Sequence, residues 1–435
     1  MTDHQLAAQV VGGGRLRAQL LELWQRTRMD WGFVTDRLAT TFRKETWIGA
    51  HERRFISETL YGLVRHLRRI DLALERGRRV KKPARDLERL LALLVLERLV
   101  APEQAAKVEP DLDWRAVASV DDVIAGERNP ARRIALAASL PDWLAGMLVA
   151  DWGDEAEALA LALNQRAPMT VRANLLVTDR DALAIELEKE GLETHRGRWT
   201  DTALIVDSRT NLFASAAFKR GAMEAQDEGS QLLAELAVPH ETKSLVIDYC
   251  AGAGGKTLAI AARLGNRGRI VASDVDGKKL EELRRRARRA HVSNAQAIAI
   301  EGGRWPRELD SLRAKADVVF VDAPCSGIGA LRRNPEARWR LREADIAAFA
   351  SRQREIMAAA LELAAPGARV VYATCSLLSA ENDQVADSLT GVGPVPLSEV
   401  LGDERAQALA REGAFTVAPH LHGTDGFYAR VMKRV

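Results

Sequence analysis

The residues best suited to chemistry in this sequence are its cysteines. The chain has three, and each lies at the end of an apolar run. Cys325 stands in Val-Phe-Val-Asp-Ala-Pro-Cys-Ser-Gly and Cys375 in Val-Val-Tyr-Ala-Thr-Cys-Ser. A single cysteine at a strand end is usually a small buried hydrophobe. Two of them, each followed by serine, indicate instead a thiol nucleophile that forms a covalent intermediate.

A glycine-rich loop, Asp248-Tyr-Cys-Ala-Gly-Ala-Gly-Gly-Lys-Thr257, precedes these thiols and opens a helical pattern. Glycines let a backbone turn tightly and approach a ligand closely. A phosphate-binding loop would need glycine where Cys250 stands, and a dinucleotide loop would need glycine at Thr257. The failure of both patterns favours S-adenosylmethionine as the ligand.

An acidic residue, Asp274, ends the next apolar run, about 20 residues beyond the loop, where a carboxylate can bind two ribose hydroxyls. The alternative interpretation is that Asp274 caps the following helix. Asp276 is the better candidate for that cap. The sequence therefore predicts that Asp274 binds the ribose of the cofactor.

Thiols beside such a loop suggest methylation of a pyrimidine. Carbon 5 of cytosine is a poor nucleophile until a thiolate adds to carbon 6, and this divides one hard step into easier ones. The reaction also needs a group near N3 and the exocyclic amine, and a base for the carbon 5 proton. The motifs around Cys325 and Cys375 supply such groups on two strand ends. The residues alone leave open which thiol attacks.

The elements that must position these groups alternate from about residue 226 onward. Strands are predicted at 245–248, 270–273, 318–321 and 369–372, and helices at 257–263, 278–290 and 344–363. This alternation predicts a parallel, doubly wound, Rossmann-like α/β sheet. In such sheets ligands bind beyond the carboxyl ends of the strands, where the cysteines fall.

The first half of the chain has a different character. Residues 15–135 carry apolar positions at helical spacing and are predicted to be all helical. Residues 136–225 read as a small α/β module, with a short helix from about 140, strands at 169–177 and 203–206, and a helix at 181–190. We therefore predict three domains at 1–135, 136–225 and 226–435.

Composition narrows the class of protein. With 435 residues, 47% hydrophobic and 28% charged, the chain can form several ordinary cores. Its cysteines are too few for a disulfide framework and lack zinc-type spacing, so we expect reduced thiols, no metal and a cytoplasmic setting. The sequence has no apolar run long enough to cross a membrane and no signal-peptide pattern.

Charge is unevenly distributed, although the net charge is only +3. The stretch from Arg15 to Arg89 contains 19 Lys and Arg against 10 Asp and Glu. It includes a basic turn at 76–83. Such a stretch suggests a polyanionic partner, but it could also be a solvated helix face.

Several motifs together resemble the RsmB/Sun-type RNA 5-methylcytosine methyltransferases, and the resemblance covers nearly the whole chain. It implies a class I S-adenosylmethionine-dependent catalytic domain, preceded by a small α/β RNA-binding subdomain and a helical NusB-like domain. The motifs are Gln226-Asp-Glu-Gly-Ser-Gln231, the loop 248–257, Asp322-Ala-Pro-Cys-Ser-Gly327, Arg332-Arg-Asn-Pro335 with Trp339, Tyr372-Ala-Thr-Cys-Ser376 with Glu381-Asn382, and Asp425-Gly-Phe-Tyr428.

The resemblance implies a role for each matching residue. Cys375 would be the nucleophile, and Cys325 would help release the enzyme from the methylated base. Asp322 would contact the cytosine near the methyl donor, and Lys256 would act beside it. Asp274 would bind the ribose, while the donor's methionine end would be lined by Cys250, Ala251, Gly252, Ala253, Gly254, Gly255 and Lys256.

One departure from the family pattern concerns the adenine. The family usually has an aspartate near the end of the third strand, and Gly302 stands there in this chain. Either Glu301 takes over this contact or backbone groups make it. A smaller change is Ala253, which replaces a proline common in the family.

The resemblance also favours RNA, most of all small-subunit ribosomal RNA, as the partner of the basic helices, and we expect a monomeric enzyme. Two alternatives remain. The chain could methylate transfer RNA, or it could be a non-catalytic RNA-binding assembly factor that has kept the fold. The thiol pair and Lys256 argue against the second alternative, and Gly302 argues for it.

Overall fold

The computed structural model describes residues 1–80, 82–207 and 212–435 and divides into two compact units. Residues 1–165 and 331–343 form a helical unit, and residues 166–330 and 344–435 form an α/β unit. The finer division into three domains stays a prediction. The basic turn at 76–83 includes Lys81, which lies outside the described residues. Within the described ranges, no single helix is long and apolar enough to cross a membrane.

The helical unit confirms the helical prediction for residues 15–135, and helix continues to Leu163. Its core is built on fully buried side chains such as Leu20, Trp24 and Leu60. The helices are Asp3–Gly12, Arg15–Asp30, Val34–Lys44, Ala50–Arg65, Leu67–Arg76, Asp86–Leu96, Pro102–Val108, Trp114–Ala118, Val120–Ala125, Pro130–Ala137, Asp142–Trp152, Ala156–Leu163 and Ala337–Arg340.

A distant segment, residues 331–343, completes this unit. Its Arg338 is fully buried and donates from Nη1 to the Asn164 side chain at 2.8 Å and the Ala138 carbonyl at 2.9 Å. Burial, helped by the charge of Arg65, lowers the pKa of Arg338 to about 9. Trp339 donates from its indole nitrogen to the Val64 carbonyl at 2.8 Å. The helical unit therefore needs residues from both halves of the chain.

The α/β unit begins with a small antiparallel sheet in the order β2-β3-β1-β4. The strands are β1 (Met169–Ala173), β2 (Thr194–Arg196), β3 (Ala203–Val206) and β4 (Met223–Ala225). The prediction of one strand over 169–177 was too long. Asn174 ends the strand because its side chain accepts a hydrogen bond from the Leu176 N–H at 3.2 Å and starts a turn.

The large sheet has the order β11-β12-β13-β9-β8-β5-β6-β7, with β10 paired to β13. Its parallel part confirms the predicted strands: β5 (Leu245–Asp248), β6 (Arg269–Asp274), β8 (Ala316–Asp322) and β9 (Ala364–Thr374), joined by β7 (Ala295–Ala299). The remaining strands are β10 (Val392–Pro394), β11 (Ala410–Arg411), β12 (Ala414–Val417) and β13 (Phe427–Arg434).

The predicted parallel sheet has an antiparallel strand added at one edge, for which the sequence prediction named no strand. β13 runs antiparallel to β9, with Tyr428 opposite Thr374 and Lys433 opposite Arg369. β12 also pairs antiparallel with β13, and the chain reverses between them through the short helix Pro419–His422. The sheet is therefore mixed, and an antiparallel strand flanks β9, which ends just before Cys375.

Helices cover both faces of the large sheet, with separate apolar clusters on each face. The three predicted helices are confirmed at Gly255–Arg263, Gly277–Arg289 and Glu343–Leu361, and a predicted helix beside the small sheet is found at Arg180–Lys189. The others are Ala216–Lys219, Glu228–Leu236, Arg307–Asp310, Asp383–Ala386, Ser398–Leu401, Asp403–Leu409 and Pro419–His422.

We expect Arg338→Ala to destabilise the protein by about 2 kcal/mol, because the Asn164 amide oxygen and the Ala138 carbonyl would lose a charged donor in a buried setting. Denaturant unfolding measures this change. Arg115→Ala is the control, since the Arg115 side chain is 86% exposed. Equal unfolding midpoints for the two variants would contradict the assigned role of Arg338.

Candidate active site

The glycine-rich loop leaves β5 at Asp248 and turns into the helix Gly255–Arg263. Gly252 and Gly254 have φ values of 53° and 83°, which side-chain-bearing residues rarely adopt. A Cβ at Gly254 would also lie 2.5 Å from Cγ of Leu283. The loop therefore needs glycine at 254 to pack this closely against the helix Gly277–Arg289.

Asp274, at the end of β6, is joined to this loop. Its carboxylate accepts the N–H of Gly252 at 2.8 Å and the N–H of Asp276 at 2.8 Å. Asp276 caps the following helix by accepting from the Lys278 and Lys279 N–H groups, which confirms the prediction for that residue. Asp274 is thus held beside the glycine loop and remains partly exposed.

The turn after β7 holds Glu301 and Gly302. The N–H of Ile300 donates to the Asp274 carbonyl at 2.9 Å, so this turn begins next to the end of β6. Glu301 is exposed, and Gly302 has a φ of 58°. The structure places Glu301 beside the predicted cofactor site, and its contact with adenine stays a prediction.

Lys256 and Asp322 form an ion pair, with 2.6 Å between Lys256 Nζ and Asp322 Oδ2. Both side chains are largely shielded from solvent, with 15% and 28% of their surface exposed. Burial alone would lower the pKa of Lys256, but the Asp322 carboxylate outweighs it and raises this pKa above its ordinary value. The lysine therefore stays a cation at neutral pH.

Asp248 lies beneath the loop as a fully buried carboxyl group. Burial raises its pKa to about 7, and a hydrogen bond from the Thr257 hydroxyl at 2.6 Å partly opposes this rise. In the sequence, Asp248 stands out only as part of the glycine-loop motif. Its position directly after an apolar run was the feature of the sequence that could have indicated a buried carboxyl group.

The two predicted reactive thiols lie in contact, with 3.3 Å between the sulfurs of Cys325 and Cys375. Their loops follow β8 and β9, which are adjacent and parallel. The sulfur–sulfur hydrogen bond and then burial raise the pKa of Cys325 well above its ordinary range, and the carboxylates of Glu381 and Asp322 add to this effect. Cys325 is therefore a protonated thiol at neutral pH.

Cys250 belongs to the glycine loop instead of the thiol pair. Burial, together with the nearby carboxylates of Asp274, Asp248 and Asp322, raises the pKa of its thiol. A raised pKa disfavours the reactive thiolate. Its contact with the cofactor stays a prediction.

Gly329 connects the loops that carry the two thiols, and it was not among the predicted site residues. Its N–H donates to the Cys375 carbonyl at 2.9 Å, and its carbonyl accepts from the Gly426 N–H at 2.9 Å. A Cβ at Gly329 would lie 2.1 Å from the Gly426 oxygen. In the sequence, this close approach of the two loops is indicated only by the presence of a second glycine, Gly329, shortly after the glycine of the Pro-Cys-Ser-Gly motif.

A doubly wound sheet whose central strand opens into this glycine loop, with a carboxylate on the next strand, is the fold of Rossmann-like, S-adenosylmethionine-dependent methyltransferases. A family model described as 16S rRNA methyltransferase RsmB/F matches residues 234–433, and a model for the RsmF/B-like ferredoxin-like domain matches residues 140–212. The matched residues lie in the α/β half of the chain and in the helices that directly precede it in the sequence.

Curated relatives extend this similarity. The chain is 29% identical over 414 residues to a probable ribosomal RNA small subunit methyltransferase B from Synechocystis sp., covering 88% of this chain and 91% of the relative. It is 30% identical over 304 residues to the ribosomal RNA small subunit methyltransferase B of Shewanella oneidensis, covering 68% of each. The chain belongs to this RsmB/F family and is an S-adenosylmethionine-dependent RNA methyltransferase.

Solved structures support the fold. The structure of PH0851 superposes with a TM-score of 0.75 at 24% identity, covering 95% of this chain and 97% of that one. The structure of NSun6 from Pyrococcus horikoshii with SFG gives a TM-score of 0.58 at 22% identity, covering 68% of this chain and 98% of that one.

We expect Gly329→Ala to separate the thiol loops, because the new methyl group would collide with the Gly426 and Cys375 carbonyls. Overpacking of this kind costs about 1–3 kcal/mol, and methyl-transfer activity should fall more than stability. Activity assays with denaturant unfolding measure both effects. Gly146→Ala is the control, since a Cβ there has open space. Full activity of Gly329→Ala would refute the importance of this contact.

Proposed function

We propose that this chain methylates carbon 5 of one cytidine in small-subunit ribosomal RNA. The observation that carries the proposal is the contact between Cys325 and Cys375 at 3.3 Å, beside the Lys256–Asp322 ion pair. Methylation of an amino group or a hydroxyl needs no thiol, whereas methylation at carbon 5 needs a nucleophile that adds and then leaves. The names of the relatives support ribosomal RNA as the substrate.

The residues of the predicted cofactor site fit S-adenosylmethionine. The loop 250–256 offers backbone and open space around Gly252 and Gly255, where a Cβ would meet no atom closer than 3.9 Å. Asp274 presents a partly exposed carboxylate to a ribose, and Glu301 stands on the neighbouring turn. The bound cofactor would supply an electrophilic methyl group from its sulfonium.

Cys375 is the proposed nucleophile. Its thiolate adds to carbon 6 of cytosine, and the electron pair that this addition places on carbon 5 accepts the methyl group. Cys325 can donate its S–H to the Cys375 sulfur, since Cys325 keeps its proton at neutral pH. The charge of Cys375, like that of Asp322, acts to raise the pKa of Lys256, so the ammonium lies near the Cys375 sulfur.

Release completes the reaction. The carbon 5 proton leaves to a base, the electrons of that bond restore the ring double bond, and Cys375 leaves carbon 6 as a thiolate. The S–H of Cys325 lies where it can donate to the departing sulfur and so stabilise it. This is the physical basis for the proposed role of Cys325 in releasing the product. Asp322, whose charge acts on Cys325, is the residue that we propose contacts the cytosine.

Access to carbon 6 requires that the target base leave its stack, so we propose base flipping from a structured RNA. The basic helical unit would hold the phosphates and recognise RNA shape. We further propose that the enzyme acts as a monomer in the cytoplasm. Bisulfite sequencing of RNA from cells that lack the protein tests the substrate, and a lost methylation in transfer RNA instead of ribosomal RNA would contradict it.

We expect Cys375→Ala to abolish methyl transfer while donor binding persists, because the alanine cannot add to carbon 6. We expect Cys325→Ala to accumulate a covalent protein–RNA adduct, because the departing sulfur loses its hydrogen-bond donor. Denaturing gel electrophoresis with labelled RNA detects the adduct. An adduct in Cys375→Ala and none in Cys325→Ala would reverse the assignment of the two thiols.

We expect Glu301→Gln to weaken donor binding by about tenfold, as the loss of a charged hydrogen-bond acceptor would do. Isothermal titration with S-adenosylmethionine measures the affinity. Glu308→Gln is the control, since Glu308 is an exposed carboxylate further along the same stretch. Unchanged affinity for Glu301→Gln would show that backbone groups hold the adenine.

A further inference from the structure

A buried carboxylate, Glu381, lies between the loops that carry the two thiols. It ends a short 3-10 turn, Ser379–Glu381, and its side chain is fully buried. Oε1 accepts the N–H of Ser326 at 2.8 Å and the side-chain amide of Gln353 at 3.1 Å. Oε2 accepts the hydroxyls of Ser326 at 2.5 Å and Ser376 at 2.6 Å. All four donors thus converge on one carboxyl group.

Two of these partners are direct neighbours of the thiols in the sequence. Ser326 follows Cys325, and Ser376 follows Cys375. Because both hydroxyls bind the same oxygen of Glu381, they are also brought within 3.3 Å of each other. Any movement of one thiol loop away from the other must therefore break a hydrogen bond to Glu381.

Surrounding residues restrict Glu381 itself. The Tyr372 hydroxyl donates its single proton to the Glu381 carbonyl at 2.5 Å. The same oxygen lies 3.1 Å from the side-chain oxygen of Gln353, which is fully buried. Tyr372 lies on β9, two residues before its last residue, so the sheet fixes the network. Hydrogen bonds therefore restrain both the backbone carbonyl and the side-chain carboxylate of Glu381.

Asn382, the next residue, performs a related task on one loop only. Its Oδ1 accepts the Thr374 hydroxyl at 2.6 Å, and its amide donates to the Ser376 carbonyl at 3.1 Å. These bonds fix the backbone on both sides of Cys375. Asn382 therefore shapes the Cys375 loop, whereas Glu381 links that loop to the Cys325 loop.

We propose that Glu381 is a positioning residue that keeps the sulfurs of Cys325 and Cys375 in contact by binding both neighbouring serines. The proposal rests on the proposed function, in which one thiol attacks and the other assists its departure. Glu381 does not touch the substrate, since its side chain is fully buried. Its effect is on the separation of the two sulfurs, and a misplacement of about 1 Å can cost about 100-fold in rate.

Two substitutions separate geometry from charge. In Glu381→Gln the amide oxygen can still accept from Ser326 and Gln353, and the amide nitrogen can donate to the two hydroxyls, which are able to accept. That variant should keep the thiols together. In Glu381→Ala all four donors lose their acceptor, and Ser326 and Ser376 keep only their own contact at 3.3 Å. The hydrogen bond from the Gly329 N–H to the Cys375 carbonyl remains between the two loops.

The rate of disulfide formation measures the separation of the thiols without any substrate. With a diazene oxidant such as diamide, the two thiols give up two electrons and two protons to the N=N bond, which becomes a hydrazine as the S–S bond forms. Peptide mass mapping identifies the Cys325–Cys375 bridge and distinguishes it from any bridge to Cys250. We expect a fall of about tenfold or more for Glu381→Ala and a nearly unchanged rate for Glu381→Gln.

Methyl-transfer kinetics supply the second measurement. We expect kcat to fall by about 100-fold in Glu381→Ala, with the dissociation constant for S-adenosylmethionine changed by less than about twofold. Glu355→Gln is the matched control, since it removes an exposed carboxylate from the same unit and should change neither quantity. A purely structural defect would instead weaken donor binding along with activity.

These measurements test the positioning role of Glu381 separately from the proposed methylation of carbon 5. If Glu381→Ala forms the disulfide at the wild-type rate, the proposal is overturned, whatever the RNA product is. If Glu381→Ala does not fold, Ser376→Ala removes one of the same hydrogen bonds in a milder way and must slow the disulfide. A slowed disulfide in a protein that proves not to methylate carbon 5 would support the positioning role and refute the proposed function.

Discussion

The contact between two chemically identical thiols is the constraint on which this site depends. The sulfurs of Cys325 and Cys375 lie 3.3 Å apart although 50 residues separate them in the chain. In the proposed mechanism one thiol attacks the base and the other assists its departure, so the two sulfurs must stay in contact. The surrounding structure holds them in contact and keeps the proton on Cys325.

Contact is achieved by strand order. β8 and β9 are neighbouring parallel strands, so their carboxyl ends deliver the two loops to the same place. Gly329 then lets the Cys325 loop approach the Cys375 carbonyl more closely than any residue with a side chain could. On the other side of β9, the antiparallel strand β13 brings Gly426 against the same loop. The mixed edge of the sheet is therefore part of the site's construction.

Charged groups of both signs surround the thiol pair, among them the Lys256–Asp322 ion pair. Glu381 and Asp322 raise the pKa of Cys325 in addition to its hydrogen bond and its burial. Lys256 keeps its positive charge because the Asp322 carboxylate outweighs the effect of burial. The carboxylates thus help to keep the proton on Cys325. The proposed choice of Cys375 as the nucleophile rests on the family resemblance.

How far the sequence could predict this site depends on whether a feature is local or not. The four central strands, the glycine loop and the cap at Asp276 depend on nearby residues, and all were predicted correctly. The direction of β13 could not be read, because an alternating strand has the same pattern in either direction. The place of residues 331–343 in the helical unit was equally hidden, since a buried Arg338 looks like an exposed arginine until its partners are known.

The segment 331–343 begins directly after Ala330, which closes the Cys325 loop. One stretch of chain therefore has to satisfy the packing of the helical unit at Arg338 and the close approach of the thiol loops at Gly329. That double demand restricts the length and conformation of the chain between Cys325 and Arg338.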